Sequence, residues 1–166
     1  MPGKVIGQHL DYGYPGTFSR NADCIIINRR GTGEISFGAP VVMNDDNTVT
    51  AFGDSNTAAE FIGVAVREVK QQTNYLSNNV KYIDGDPTDV ITRGSVVVGI
   101  SSGTPKANGP VYIRIAENAS YPESKIGDFV AEADGSNTVE LDNVVFTTGK
   151  KDGNNVAEVT VLSRKA

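Results

Sequence analysis

Short runs of apolar and β-branched residues alternate with clusters of Gly, Asn and Asp along most of the chain. This pattern predicts β-strands joined by tight turns, because β-branched side chains favour extended backbone and Gly, Asn and Asp accept the positive φ that hairpins need. Short strands at this spacing are typical of an antiparallel β-sandwich or barrel, jelly-roll-like, with almost no helix. The predicted strands span residues 24–30, 34–43, 47–52, 60–69, 79–85, 89–100, 109–117, 125–133, 137–148 and 156–163.

Two strands show how their faces are used. In "VAEVTVL" the alternation predicts an inward face that is mostly apolar, formed by Ala157, Val159, Val161 and Ser163. The run "SVVVGI" is apolar on both faces, as expected of a strand buried inside the fold or covered by a partner. If the protein is an oligomer, the predicted subunit contact in that run consists of Val96, Val97 and Val98.

Helix signals are weak. The segment "SNTAAEFIG" predicts a single turn with Ser55 or Asn56 as N-cap, and "EVKQQTNYLSNN" is interpreted as a loop. The glycines of "FIGVA" and "RGSVVVG" match no dinucleotide fingerprint, and we expect them to mark bulges or bends where strands curve.

Length and charge limit the possible functions. The 166 residues, 39% of them hydrophobic, predict one globular domain. We divide the chain into an N-terminal arm or loop over residues 1–23 and a single β domain over residues 24–166. A net charge of −5 disfavours binding to nucleic acid or to an anionic membrane. The chain has no signal-peptide pattern and no run of 18 apolar residues, so we expect a soluble protein made in the cytoplasm, with no membrane partner.

The sequence has few residues suited to catalysis or to metal binding. His9 is the single histidine and Cys24 the single cysteine of the sequence, so neither a catalytic triad nor a multi-histidine metal site can be assembled. His9 is interpreted as a solvated residue near the terminus and Cys24 as a core residue. Solvated turn carboxylates are the favoured interpretation of "YIDGDPTD", with calcium as the alternative at Asp84, Asp86 and Asp89. We therefore predict no enzyme activity, no metal and no cofactor.

The segment "YGYPGTFSR" (residues 12–20) concentrates aromatic residues in a stretch that is too rich in Gly, Pro, Ser and Thr for a core. One interpretation is an extended arm over residues 8–23 that contacts a partner, and the alternative is a loop folded back on its own barrel. The candidate contact residues of the arm are Tyr12, Tyr14, Phe18 and Arg20, with the arginine pairing with an acidic surface. A second charged patch, favoured as a solvated strand face, comprises Arg67, Glu68 and Lys70 beside Arg93.

A succession of motifs points to a family. "YPGTFSR", "ISFGAPVVMNDDNTV", "EFIGVAVREVKQ", "VKYIDGDPTDVITRGSVVVGI" and "GPVYIRIAEN" follow one another over about residues 11–130. In this order they resemble the structural cement, or head decoration, proteins of tailed bacteriophages. The C-terminal stretch from residue 137 reads as a strand hairpin and has no counterpart in that motif order.

The resemblance implies a non-catalytic virion protein on the outer surface of the capsid. Its partners would be the major capsid protein, whose neighbouring capsomers it stabilises, and further copies of itself, as a homotrimer or alternatively a homodimer. Another virion β domain, such as a tail tube, tail terminator or fibre, is the second reading. A carbohydrate-binding module or hydrolase domain with a tyrosine platform is the third, weakened by 7% aromatic residues and no tryptophan.

Overall fold

The computed structural model describes residues 13–18, 23–67 and 81–163. Within these ranges the chain forms eleven strands and two short 3₁₀ helices, Ala58–Glu60 and Gly135–Asn137. The strands are β1 Ile25–Arg30, β2 Ile35–Ser36, β3 Pro40–Met43, β4 Val49–Ala51, β5 Phe61–Ala65, β6 Lys81–Tyr82, β7 Pro87–Ser102, β8 Pro110–Arg114, β9 Phe129–Val130, β10 Thr138–Phe146 and β11 Val156–Val161. Each predicted strand overlaps an observed one, and the all-β class is confirmed.

Local details differ from the prediction in two places. The strand predicted over residues 34–43 is divided into β2 and β3 by a turn at Gly38, whose φ is +79°. The first 3₁₀ helix is capped by Thr57, so the prediction of Ser55 or Asn56 was wrong. Glu60 explains why Thr57 is the N-cap, because the Glu60 carboxylate accepts the backbone N–H of Thr57 at 2.6 Å. The segment predicted as a loop after residue 67 lies outside the described residues.

Strand β7 belongs to two sheets. Its C-terminal half closes a barrel in the order β7, β11, β10, β8, β9 and back to β7, with antiparallel pairs except for the parallel contact between β7 and β9. Its N-terminal half lies between β1 and β5 in a second sheet that continues to β3 and β4. Gly31, directly after β1, bridges Val49 of β4, so the two edges of the second sheet also meet.

The change of partner along β7 occurs at Gly94. Pairing with β1 reaches Arg93, and pairing with β11 begins at Gly94 on the same edge of the strand. Gly94 has a φ of +118°, and a Cβ there would lie 3.1 Å from the carbonyl oxygen of Asp23. A side chain would be both strained and crowded, which explains why a glycine stands where the pairing partner changes.

Two cores lie on opposite sides of the second sheet, as the period of two along a strand requires. Val64 of β5 and Ile91 of β7 join the main core, which continues into the barrel, while their neighbours Ala65 and Val90 join a smaller core. Tyr82 of β6 covers the smaller core and is 1% exposed. The predicted inward residues of β11 reach the main core, namely Ala157, Val159 and Val161. Among the described residues, no helix has the length and apolar character needed to span a membrane.

Candidate interaction surface

Residues 13–18 lie against β7 just after Gly94. Gly16 donates its backbone N–H to the carbonyl oxygen of Val97 at 2.8 Å, and Val97 donates to Thr17 at 2.8 Å. The carbonyl of Gly16 accepts the N–H of Arg67, just beyond β5, also at 2.8 Å. The described part of the aromatic segment is therefore a loop folded back on its own β body, as the second of the two sequence interpretations predicts.

The sequence "YPGT" explains why the loop turns where it does. Thr17 donates to the carbonyl of Tyr14 at 3.1 Å, which closes a tight turn around Pro15 and Gly16. Gly16 is buried with a φ of +84°, and a Cβ there would lie 3.0 Å from the nitrogen of Gly38. Only glycine accepts both the left-handed backbone and the close approach.

The four predicted contact residues have different positions. Tyr14 stands at the tip of the turn with 71% of its surface exposed. Phe18 forms a β-bridge with Val96 and packs its half-buried ring against the main core, so it anchors the loop to its own chain. Tyr12 and Arg20 lie outside the described residues. Among the predicted contact residues that the structure describes, Tyr14 is the exposed one.

The predicted oligomer contact in "SVVVGI" has no exposed side chain. Val96, Val97 and Val98 are 0%, 1% and 0% exposed within one chain. Val96 and Val98 point into the main core. Phe18 and the turn at Gly16 lie along the same part of β7. The apolar character of both faces is satisfied inside the chain, so these three valines offer no surface to a second subunit.

The basic residues of the predicted charged patch interact within the chain. Arg93 forms an ion pair with Asp23 at 2.8 Å, and the guanidinium of Arg67 lies 5.8 Å from the centre of the Phe37 ring. Glu68 and Lys70 lie outside the described residues. Both described arginines remain exposed, as the solvated reading expects.

The carboxylates of this acidic region accept hydrogen bonds from their own turn, from a neighbouring turn or from a neighbouring strand. Asp84 accepts the N–H of Gly33 at 2.8 Å, and Asp86 accepts the N–H of Ile83 at 2.9 Å. Asp89 instead accepts the amide of Asn28 at 2.6 Å. Within the described ranges, no three His, Cys, Asp or Glu side chains form a group able to hold a metal ion.

Of the two residues considered for nucleophilic or base chemistry, the structure describes Cys24 but not His9. Cys24, predicted as a core residue, is half-buried and packs against the main core rather than inside it. His9 lies outside the described residues.

A buried arginine network was not predicted from the sequence. Arg114, at the end of β8, is fully buried and forms an ion pair with Asp134 at 2.8 Å. Its Nε donates to Ser124 at 2.6 Å, and its guanidinium lies 5.2 Å from the centre of the Tyr121 ring. Hydrogen bonds from Arg114 and then from Asn118 hold the pKa of Asp134 below its usual range. The network joins the turns on either side of β9, through Ser124 and Asp134, to the end of β8.

The tyrosines do not form a common platform among the described residues. Tyr82 is buried and donates to the carbonyl of Val66 at 2.6 Å. Tyr121 stacks on Arg114, and a neighbouring Glu132 raises the pKa of its hydroxyl. Burial, followed by the charge of Glu140, raises the pKa of Tyr112. These three side chains are engaged inside the chain, so they do not form an open stacking platform.

The architecture defines a class of protein: an all-β body whose charged and aromatic groups largely serve its own packing. A solved chain titled "The capsid of Myoviridae Phage XM1" has the same fold, with a TM-score of 0.67 at 18% identity over 97% of this chain and 98% of that one. No curated protein gives a significant match. The model of the family "Structural cement protein (E217 gp24/Pam3 gp6)" matches residues 2–162.

The chain therefore belongs to the phage structural cement protein family, and it is a structural protein of a bacteriophage capsid. The match also includes most of the C-terminal stretch that the motif order did not reach. The family resemblance read from the sequence is confirmed.

Proposed function

We propose that this protein decorates the outer surface of the phage head, where it binds the major capsid protein and stabilises contacts between neighbouring capsomers without catalysing a reaction. The observation that carries the proposal is the match to structural cement proteins along residues 2–162. In this proposal the protein is made in the host cytoplasm and joins the head during assembly. The shared capsid fold is consistent with this role.

The form of the molecule suits such a role. A cement protein needs a body that keeps its contact points at fixed separation, because a flexible body would lose part of its binding free energy to ordering. Here one strand runs through both sheets, and the loop at Gly16 is hydrogen-bonded to each. Tyr14 is consequently an exposed aromatic side chain on a fixed support, which is the character of many interface hot spots.

The arm and the oligomer belong to the same proposal. Tyr12 and Arg20 add contacts to the capsid beside Tyr14, with Arg20 pairing with an acidic surface. The protein acts as a homotrimer, with a homodimer as the alternative, because closed symmetry lets one small chain bind several equivalent capsomers. The buried valines of β7 require that the subunit contact be formed by a different surface.

Addition of the purified protein to expanded, undecorated heads tests the proposal directly. Cryo-microscopy is expected to show it on the outside of the capsid, in contact with more than one capsomer. Removing residues 1–12 leaves the described loop intact and tests the arm alone. A protein that leaves the heads bare, or that binds only tails, would refute the assignment.

A further inference from the structure

Three lysines lie together at one end of the barrel. The turn between β7 and β8 carries Lys106, and the turn between β10 and β11 carries Lys150 and Lys151. The two turns touch, because a Cβ on Gly149 would lie 2.9 Å from the nitrogen of Ala107. We call Lys106, Lys150 and Lys151 the lysine edge. All three side chains are exposed.

The ammonium groups of the lysine edge are not paired within the described chain. Within residues 13–18, 23–67 and 81–163, none of its ammonium groups has a hydrogen bond or ion pair, although Lys81 pairs with Glu34 at 2.6 Å. The sequence as a whole has 15 basic against 20 acidic side chains. Three adjacent cations on an acidic protein form a local field of opposite sign, which attracts an acidic surface.

Matching carboxylates occur on the same chain. Glu117 and Glu123 are exposed in the segment that Arg114 fastens to the barrel, and within the described part of the molecule neither carboxylate has a hydrogen bond or ion pair. This segment also borders an open cleft of about 640 Å³ that includes Glu117 and Tyr121. The two sets of opposite charge do not meet within one chain.

We propose that the lysine edge binds the acidic segment with Glu117 and Glu123 on a second copy of this chain. The inference rests on the self-association in the proposed function and names the surfaces that form it. Two different patches of the chain meet, so the contact forms either successive links of a closed ring, as in a cyclic trimer, or two equivalent links across a two-fold axis, as in a dimer. A second copy is the favoured occupant because, within the described residues, every copy carries both the unpaired lysines and, on a different surface, the unpaired carboxylates of Glu117 and Glu123.

Light scattering on the purified protein, without heads, tests the contact. The wild type is expected to be an oligomer at low salt and to dissociate as the salt concentration rises, because exposed charge pairs are screened. Lys150→Glu is expected to weaken association by ~10-fold. The matched control Lys81→Glu makes the same charge change outside both the lysine edge and the acidic segment and is expected not to weaken association. A monomeric wild type at low salt, or equal loss in both variants, would overturn the proposal.

A charge exchange identifies the partner surface. The variant with Lys150→Glu and Lys151→Glu is expected to be monomeric, and adding Glu117→Lys and Glu123→Lys is expected to restore the oligomer. These positions are exposed, so circular dichroism and the melting temperature should stay close to wild type. Failure of the exchange to restore association, in a folded variant, would overturn the pairing.

Binding to undecorated heads separates this inference from the proposed function. A wild type that does not bind heads contradicts the function but leaves the light-scattering result intact. A monomeric wild type whose head binding is salt-sensitive and lost in Lys150→Glu keeps the function. In that case the lysine edge faces the capsid, and the self-association proposal is wrong.

Discussion

Gly16 and Val97 are joined by a 2.8 Å hydrogen bond from the amide of the glycine to the carbonyl of the valine. Through its own carbonyl, Gly16 also accepts the amide of Arg67 beyond β5. A single residue thus connects the barrel half of β7 with the second sheet. The loop around it is therefore fixed both to β7 and to the residues beyond β5, and it holds Tyr14 in place.

Replacing Gly16 by alanine is expected to lower the free energy of unfolding by roughly 2 kcal/mol, because a Cβ there is both strained and crowded. The crowding comes from the nitrogen of Gly38 at 3.0 Å and the carbonyl oxygen of Ala65 at 3.2 Å. Gly33→Ala is the control: its φ of +74° brings strain, but nothing lies within 4 Å of the added Cβ. Urea unfolding of both variants gives the comparison, and equal losses would contradict the crowding.

Tyr14 and Phe18 are expected to separate binding from stability. Tyr14→Ala should keep the melting temperature and weaken binding to undecorated heads by about 10-fold, as the loss of an aromatic hot spot does. Phe18→Ala should instead cost roughly 1 to 2 kcal/mol of stability, because its ring packs on the main core. Ile83→Ala, also at an exposed residue, is the control for head binding. Unchanged occupancy for Tyr14→Ala would remove Tyr14 from the contact.

Removing the guanidinium of Arg114 is expected to destabilise the fold strongly. Arg114→Leu loses the bonds to Ser124 and Asp134 and leaves a carboxylate without its buried partner, at a cost of roughly 3 kcal/mol. Arg114→Lys keeps the charge but not the planar guanidinium that bonds Ser124 and Asp134 together, so an intermediate loss of stability is expected. Arg67→Leu, on an exposed arginine, should stay within about 0.5 kcal/mol. Thermal unfolding monitored by circular dichroism measures all three.

Acid is expected to weaken the same network. Because the folded protein lowers the pKa of Asp134, chiefly through Arg114, its contribution to stability is present above the unfolded pKa and is lost as the pH falls through the folded pKa. Asp134→Asn should therefore be less stable than wild type at pH 7, and the difference should shrink in acid. Asp45→Asn, at an exposed turn carboxylate, is the control. A difference that stays constant from pH 7 to pH 3 would contradict this role.

The strands and their inward faces could be read from the sequence because alternation and turn residues are local signals. The faces of β11 are an example, since the pattern alone placed Val159 in the core. The path of β7 could not be read in the same way. Its change of partner at Gly94 depends on strands from both ends of the chain, and no local pattern specifies which strand pairs with which half.

For the candidate contact residues, too, local features could be predicted and contacts between distant residues could not. Exposure of Tyr14 was predictable from a loop sequence that no core would hold, whereas the inward packing of Phe18 depends on Val96, far along the chain. Three consecutive valines indicated burial correctly, but they did not indicate that the cover comes from the same chain. Arg114 was missed because its partner Asp134 lies twenty residues away on a different turn.

The sharing of β7 by both sheets has a mechanical consequence. A pull applied to one sheet reaches the other through the covalent backbone of a single strand, with no hinge or linker between them that could open first. Strain in an expanded head would then be resisted by rows of hydrogen bonds loaded together along β7. In the proposed role between capsomers, tension would therefore be carried along one continuous strand.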